Sequence, residues 1–262
     1  MKKKLEAAAL ALAAAQYCPA ALADDARLNT RPGWELGVHA SRYKYEEPGL
    51  MSLEGYRGGV SGAFTITTRS RVFLRLDLRV SHGILDYEGS GTLKDVPDWL
   101  VEARALYGRD LALGSRMTLS PYVGLGFRYL RNDLRGTTST GTAGYVRASR
   151  YAYLPLGATL RLGIGERWAL APTLEYDVFL RGRQHSYLSD ADPSLSNASN
   201  TQTRGRGYRA SLMLETDDWS FGPWVQYWHI RDSRSVPVSP LLIGMEPENK
   251  TREAGLELRW RF

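Results

Sequence analysis

The sequence predicts an all-β chain, an up-and-down antiparallel β-barrel that crosses a membrane with ten strands. Three observations predict it. Apolar and polar residues alternate in about ten segments, the connections between them are alternately tight and long, and aromatic residues gather at two levels. The 262 residues, 43% hydrophobic and 24% charged, suffice for one large domain. Mean hydropathy is only −0.34. Past the N-terminal region no apolar run nears the ~18 residues of a spanning helix. A barrel escapes that test, because its strands face lipid on one side and lumen on the other.

Residues 1–23 read as a cleaved secretory signal, with a basic Lys2-Lys3-Lys4 start, an Ala-rich core from Leu5 to Ala15 and the small-x-small site Ala21-Leu22-Ala23. Residues 24–262 form the barrel. Cys18, the single cysteine, lies in the signal, so the exported part has neither a disulfide nor a thiolate metal site. Removing three lysines and Glu6 takes the net charge from +6 to +4. Export argues against nucleic acid as the partner of that charge.

Strands are predicted over 33–45, 55–67, 71–84, 99–113, 117–130, 151–163, 167–181, 207–216, 219–231 and 251–262. In the first, Trp34, Leu36, Val38 and Ala40 oppose Glu35, His39 and Ser41. In the third, Val72, Leu74, Leu76, Leu78 and Val80 oppose Arg75, Asp77 and Arg79. The seventh sets Trp168, Leu170, Pro172, Leu174, Tyr176 and Val178 against Thr173, Glu175, Asp177 and Arg181. In the last, Leu256, Leu258, Trp260 and Phe262 oppose Gly255, Glu257, Arg259 and Arg261. The period of two sends alternate side chains to opposite faces. Tight turns fall at Thr68-Arg69-Ser70, Gly114-Ser115-Arg116, Gly165-Glu166 and Asp217-Asp218, and long loops at 46–54, 85–98, 131–150, 182–206 and 232–250. Both termini on the tight-turn side make the strand number even. Eight would merge two well-marked hairpins, and twelve would split loops that lack alternation. Trp34, Trp168, Trp219, Trp260 and Phe262 mark one membrane boundary; Tyr45, Tyr56, Trp99, Tyr129, Tyr208 and Trp228 mark the other.

Strand parity places Glu35, His39, Arg57, Arg75, Asp77, Arg79, Glu102, Arg104, Arg128, Arg161, Glu175, Asp177, Arg181, Arg209, Glu215, Glu253, Glu257 and Arg259 in the lumen. With both signs balanced in a narrow barrel, these groups can pair across it as a polar core. A small solute or ion path is the alternative.

The signal, the alternating strands, the turn–loop rhythm and the aromatic end resemble the outer-membrane β-barrel proteins of Gram-negative bacteria over residues 24–262. The resemblance implies location in that membrane. It also implies that Gly255, Leu256, Leu258, Trp260 and Phe262 form the segment read by the barrel-assembly machinery. The segment Tyr45-Glu46-Glu47-Pro48-Gly49-Leu50-Met51 is similar to a first loop of many small barrels, without a known activity. The outer leaflet of such a membrane is anionic lipopolysaccharide. Arg131, Arg135, Arg150, Arg183, Arg204, Arg206, Arg231 and Arg234, with Arg42, Lys44, Arg147, Arg181, Arg209, Lys250 and Arg252, cluster towards the long-loop ends and are expected to contact its phosphates.

The expected function is that of a barrel without a catalytic site, cofactor or metal, whose loops serve surface interaction or envelope integrity. A narrow channel and a hydrolase like the omptins, which are also ten-stranded, are the alternatives. For the hydrolase, the second loop region offers His82, Asp86, Glu88, Asp95 and Asp98, and the fourth offers His185, Asp190 and Asp192. The omptin pairing is missing, for there is no Asp-x-Asp in the second loop and no Asp-x-His in the fourth. The doublets Ser81-His82 and His185-Ser186 cannot act as the Ser–His pair of a lipid A hydrolase, because neighbours on a strand face opposite ways.

Overall fold

The computed structural model describes residues 26–239 and 242–262. The expected signal, 1–23, lies outside the described residues. After a short turn of helix at Ala26–Leu28 the chain is built of strands: β1 (Gly33–Glu47), β2 (Met51–Thr67), β3 (Val72–Gly89), β4 (Gly91–Arg109), β5 (Leu111–Gly114), β6 (Met117–Asp133), β7 (Val146–Ile164), β8 (Trp168–Ser186), β9 (Ala198–Gln202), β10 (Gly205–Glu215), β11 (Trp219–Ile230), β12 (Val236–Ser239), β13 (Leu242–Gly244) and β14 (Asn249–Arg261). All pairings between named strands are antiparallel, and the closing seam is β1 with β14, from Glu35 opposite Arg261 to Glu46 opposite Lys250. Ten strands make the closed wall: β1, β2, β3, β4, β6, β7, β8, β10, β11 and β14. β5 follows β4 along β6, β9 adds to the outer end of β8, and β12 with β13 forms a small hairpin in the last outer connection.

The alternation directs the wall. Leu36, Val38, Leu74, Leu76, Leu78, Leu125, Leu174 and Leu256 are all more than 40% exposed and face outwards. From Tyr56 to Ile66 on β2, ten residue steps at ~3.3 Å along a tilted strand span roughly 25 Å of outward apolar surface, the height of a membrane barrel's lipid band. Trp34 packs on Phe64 and Trp168 on Trp219 at the tight-turn edge; Tyr176, Tyr208 and Tyr227 pack in sequence nearer the opposite edge.

Two expectations are corrected. The first two long loops are not loops. β1 and β2 continue to a turn at residues 48–50, and β3 and β4 run on to Gly89 and Gly91 with Ser90 between them. The reason is packing: Tyr43, Tyr45, Leu53, Leu85, Val96 and Leu100 keep the inward phase beyond the lipid band. Tyr45 and Trp228, expected on the outer girdle, point into the lumen instead. They join Leu130, Leu134, Tyr151, Tyr153, Phe179 and Ile230 in an apolar plug that fills the outer part of the barrel. Trp228 meets Tyr153 edge-on with ring centres 5.0 Å apart.

Candidate functional site

Below the plug the lumen is charged. Arg75 bonds Glu35 at 2.7 Å and Asp77 at 2.7 Å; Arg104 bonds Asp77 at 2.7 Å and Glu175 at 3.0 Å. Arg209 takes up the chain, at 3.0 Å from Glu175 and from Asp177, and forks onto Glu102. Tyr153 and Tyr122 donate to Glu102 and Glu175. The ion pairs thus run unbroken from β1 through β3, β4 and β8 to β10, across the barrel. Arg259, at 2.8 Å from Glu257, also reaches Glu35, as does Arg261. Nearer the plug, Arg79 meets Glu253 at 3.2 Å, His39 shares a 2.8 Å hydrogen bond with Ser81, and Arg57, stacked under Tyr43, is paired with Asp98. Each carboxylate kept in so narrow a space needs such a partner, since an unpaired buried charge is costly.

These positions hold all eleven residues of the expected lumen network: Glu35, His39, Arg75, Asp77, Arg79, Glu102, Arg104, Glu175, Asp177, Glu257 and Arg259. Arg181, also expected inside, is turned outwards. Ala152 faces Arg181 while the next residue, Tyr153, faces Phe179, so a β-bulge at Leu180 shifts the phase of β8.

A cavity of about 210 Å³ remains in the tight-turn half of the barrel, bordered by Glu35, Arg75, Asp77, Arg104, Arg161 and Glu175. The N-terminal segment lies below it. Leu28 is 1% exposed, Thr30 donates its amide and hydroxyl to Asp110 at 2.7 Å each, and Arg31 bridges to Asp217 at 2.6 Å.

At the outer end sits a cluster that the sequence reading did not find. Arg147, expected on the rim, is buried and pairs with both Glu47 of β1 and Glu246 of the last outer connection. The inward phase of Glu35, His39, Ser41, Tyr43 and Tyr45 could have flagged Glu47; nothing local in the sequence flags Glu246. Burial, assisted by the Glu47 carboxylate and opposed by Arg147, pushes the Glu246 carboxyl up to about 7. Docking of this loop therefore favours the protonated form of that carboxyl. Docking is firmest at acid pH and weakens as pH rises from the ordinary carboxylate range to about 7. Hydrogen exchange in residues 231–248, corrected for intrinsic rates, is expected to be slower at pH 5.5 than at pH 8. Glu246→Gln should abolish the difference; an unaltered pH dependence in that variant refutes the assignment.

Basic side chains stand above the lipid band on six of the ten wall strands. Arg42 on β1, Arg252 on β14, Arg131 on β6, Arg150 on β7, Arg183 on β8 and Arg206 on β10 are exposed and project outwards. Several others are tied to neighbouring acids: Arg135 to Asp133, Arg204 to Asp232, Arg231 to Glu248. Arg234 lies exposed in the last connection. Arg209, counted with the rim as well as the lumen, belongs to the lumen alone.

The groups considered for hydrolysis do not converge. His82 faces outwards on Trp99, while Asp98 faces inwards on Arg57. Asp86 holds Lys94, His185 packs on Tyr187, Asp190 accepts the Val146 amide and Asp192 caps its own turn through Ser194. Among the described residues no three His, Cys, Asp or Glu side chains gather as a metal site. Phe262, at the tight-turn edge, is exposed and exchanges backbone hydrogen bonds with Trp34. Gly255, Leu256, Leu258 and Trp260 lie on β14 at the seam with β1.

No family model matches the chain, and no curated protein matches it in sequence. Solved structures do. The outer membrane protease OmpT from Escherichia coli aligns over 88% of this chain and 95% of its own, with 11% identity and a TM-score of 0.58. The beta domain of the Bordetella autotransporter BrkA covers 88% of this chain and 100% of its own, at 11% identity and a TM-score of 0.44. At such identity the likeness to OmpT is one of fold. With the closed ten-strand wall, the outward apolar band and its aromatic edges, it gives this chain the fold of a Gram-negative outer-membrane β-barrel.

Proposed function

We propose that this protein is a closed, non-conducting barrel that docks in lipopolysaccharide through its basic collar and serves the envelope as a surface-exposed structural element. The observation that carries the reading is the collar itself. Arginines project outwards directly above the lipid band on strand after strand, at the level where an outer leaflet presents its phosphates. Guanidinium groups suit phosphate by forked, charge-assisted hydrogen bonds. The filled lumen supports the non-conducting half. Cross-barrel ion pairs, the apolar plug above and the N-terminal segment below lie in series along the axis. The hydrolase reading has no converging acid and imidazole to support it.

The test is retention of lipopolysaccharide through purification. With Arg131, Arg150, Arg183 and Arg206 replaced by glutamine, co-purified lipid phosphate per barrel is expected to fall several-fold. Retention equal to the unaltered protein would sink the proposal.

A further inference from the structure

The collar is not uniform. On the β14–β1–β2 side its cations have carboxylates of their own: Arg42 and Lys44 share Glu54, and Arg252 bonds Glu46 at 3.0 Å. On the β6–β7–β8–β10 side the pattern reverses. Arg150 and Arg183 stand directly opposite each other in the β7–β8 ladder, both exposed. Side chains so paired are ~4.5–5.5 Å apart at Cβ, and like charges there are destabilising. The bulge at Leu180 adds Arg181 to the same face, beside Leu180 itself. Arg206, level with Val178, flanks them from β10. Among the described residues no carboxylate pairs with Arg150, Arg181, Arg183 or Arg206; Arg150 lies 5.9 Å over the Tyr129 ring. Below Arg150 and Arg183 on the same two strands, Leu154, Val178 and Leu180 are apolar and partly or fully exposed on the outward face.

A strand pair that opposes two cations, and bends to add a third, lacks the anion that would make the arrangement favourable. We infer that Arg150 and Arg183 clamp one phosphate of a phosphorylated, acylated glycolipid of the outer leaflet, with Arg181 and Arg206 as flanking donors and the acyl chains lying along β7 and β8. The inference rests on the lipopolysaccharide reading and narrows it to one face of the barrel. The acyl surface beneath the cations favours a lipid over a free phosphate, and an anion between the guanidinium groups turns their repulsion into a bridging contact.

The experiment uses the purified full-length barrel in detergent, stripped of lipid. Affinity is measured for intact lipopolysaccharide, for the same material with its phosphates removed, and for inorganic phosphate as competitor. Arg150→Gln/Arg183→Gln is expected to weaken binding of intact lipopolysaccharide at least tenfold and to leave the weak binding of the dephosphorylated form within twofold. The control Arg42→Gln/Arg252→Gln, on the self-paired side of the collar, should lose less affinity for intact lipopolysaccharide than the clamp variant does. Without lipid, the clamp variant should melt no lower than the unaltered barrel, since it loses a repulsion. If the control loses affinity and the clamp variant does not, the clamp is wrong while collar docking stands. If neither variant loses affinity and dephosphorylation has no effect, both fall. Displacement by millimolar inorganic phosphate alone would overturn the lipid assignment in favour of a free anion site.

Discussion

Arg209→Ala is expected to lower the stability of the folded barrel by about 3–5 kcal/mol, the range for breaking a buried ion pair from one side. Arg209 touches more carboxylates than any other interior cation described above. It forks onto Glu102, holds Asp177 and Glu175 at 3.0 Å and accepts support from the Tyr153 hydroxyl, to which it donates at 3.0 Å. Its removal leaves three acids facing one another in a space too narrow to hydrate them as bulk water does. The sign is thus set by the charges left behind and not by the bonds lost. Arg209→Lys keeps the charge but loses the fork, so it should cost less. Arg209→Ala/Glu102→Ala should recover part of the loss, because it removes an orphaned acid together with its partner. Urea unfolding of the refolded barrel, followed by tryptophan emission, gives all three. A single-variant cost below about 1 kcal/mol would mean that water already screens the lumen charges.

The second large effect belongs to the plug. Trp228 is 1% exposed and lies among Tyr151, Tyr153 and the Arg128 guanidinium. Trp228→Ala should cost about 3–5 kcal/mol, as expected for emptying an aromatic-sized space in a packed core, while Trp228→Phe should cost much less. The same variants examine the closed lumen. In a planar bilayer the unaltered protein should show no steady single-channel steps. Trp228→Ala thins only one of three barriers in series and should stay silent as well. Steady steps from the unaltered protein would return the channel alternative to first place.

Strand number, hairpin order and the inward face of most strands were legible in the sequence because each follows from a period of two. Leu74-Arg75-Leu76-Asp77-Leu78-Arg79 can be placed without any knowledge of its neighbours. What depended on other strands was not legible. β3 and β4 rise past the membrane because Leu85 and Val96 belong to one buried cluster with Tyr43, Leu53 and Tyr151, a grouping that no local window contains. Arg181 was misplaced because a bulge costs one residue and leaves no mark in composition. Asp98 looked like a loop acid until Arg57 of β2 was seen beside it, and Arg147 looked like a rim cation until Glu47 and Glu246 closed on it. Tyr45 and Trp228 are a different case: their own strand phase pointed inwards, and their aromatic character suggested the membrane edge.

The N-terminal segment ties together parts of the barrel that lie far apart in the sequence. Thr30 is fastened to Asp110, eighty positions further along the chain, and Arg31 to the Thr216 carbonyl, 185 positions away. Those anchors sit at the β4–β5 junction and beside the β10–β11 turn, at the tight-turn end of the wall. The segment is therefore a latch with two holds, one in each half of the chain, and it engages both only where those strand ends stand together. Its resistance to an added protease is expected to report the assembled barrel, and ready cleavage one whose strand ends are apart.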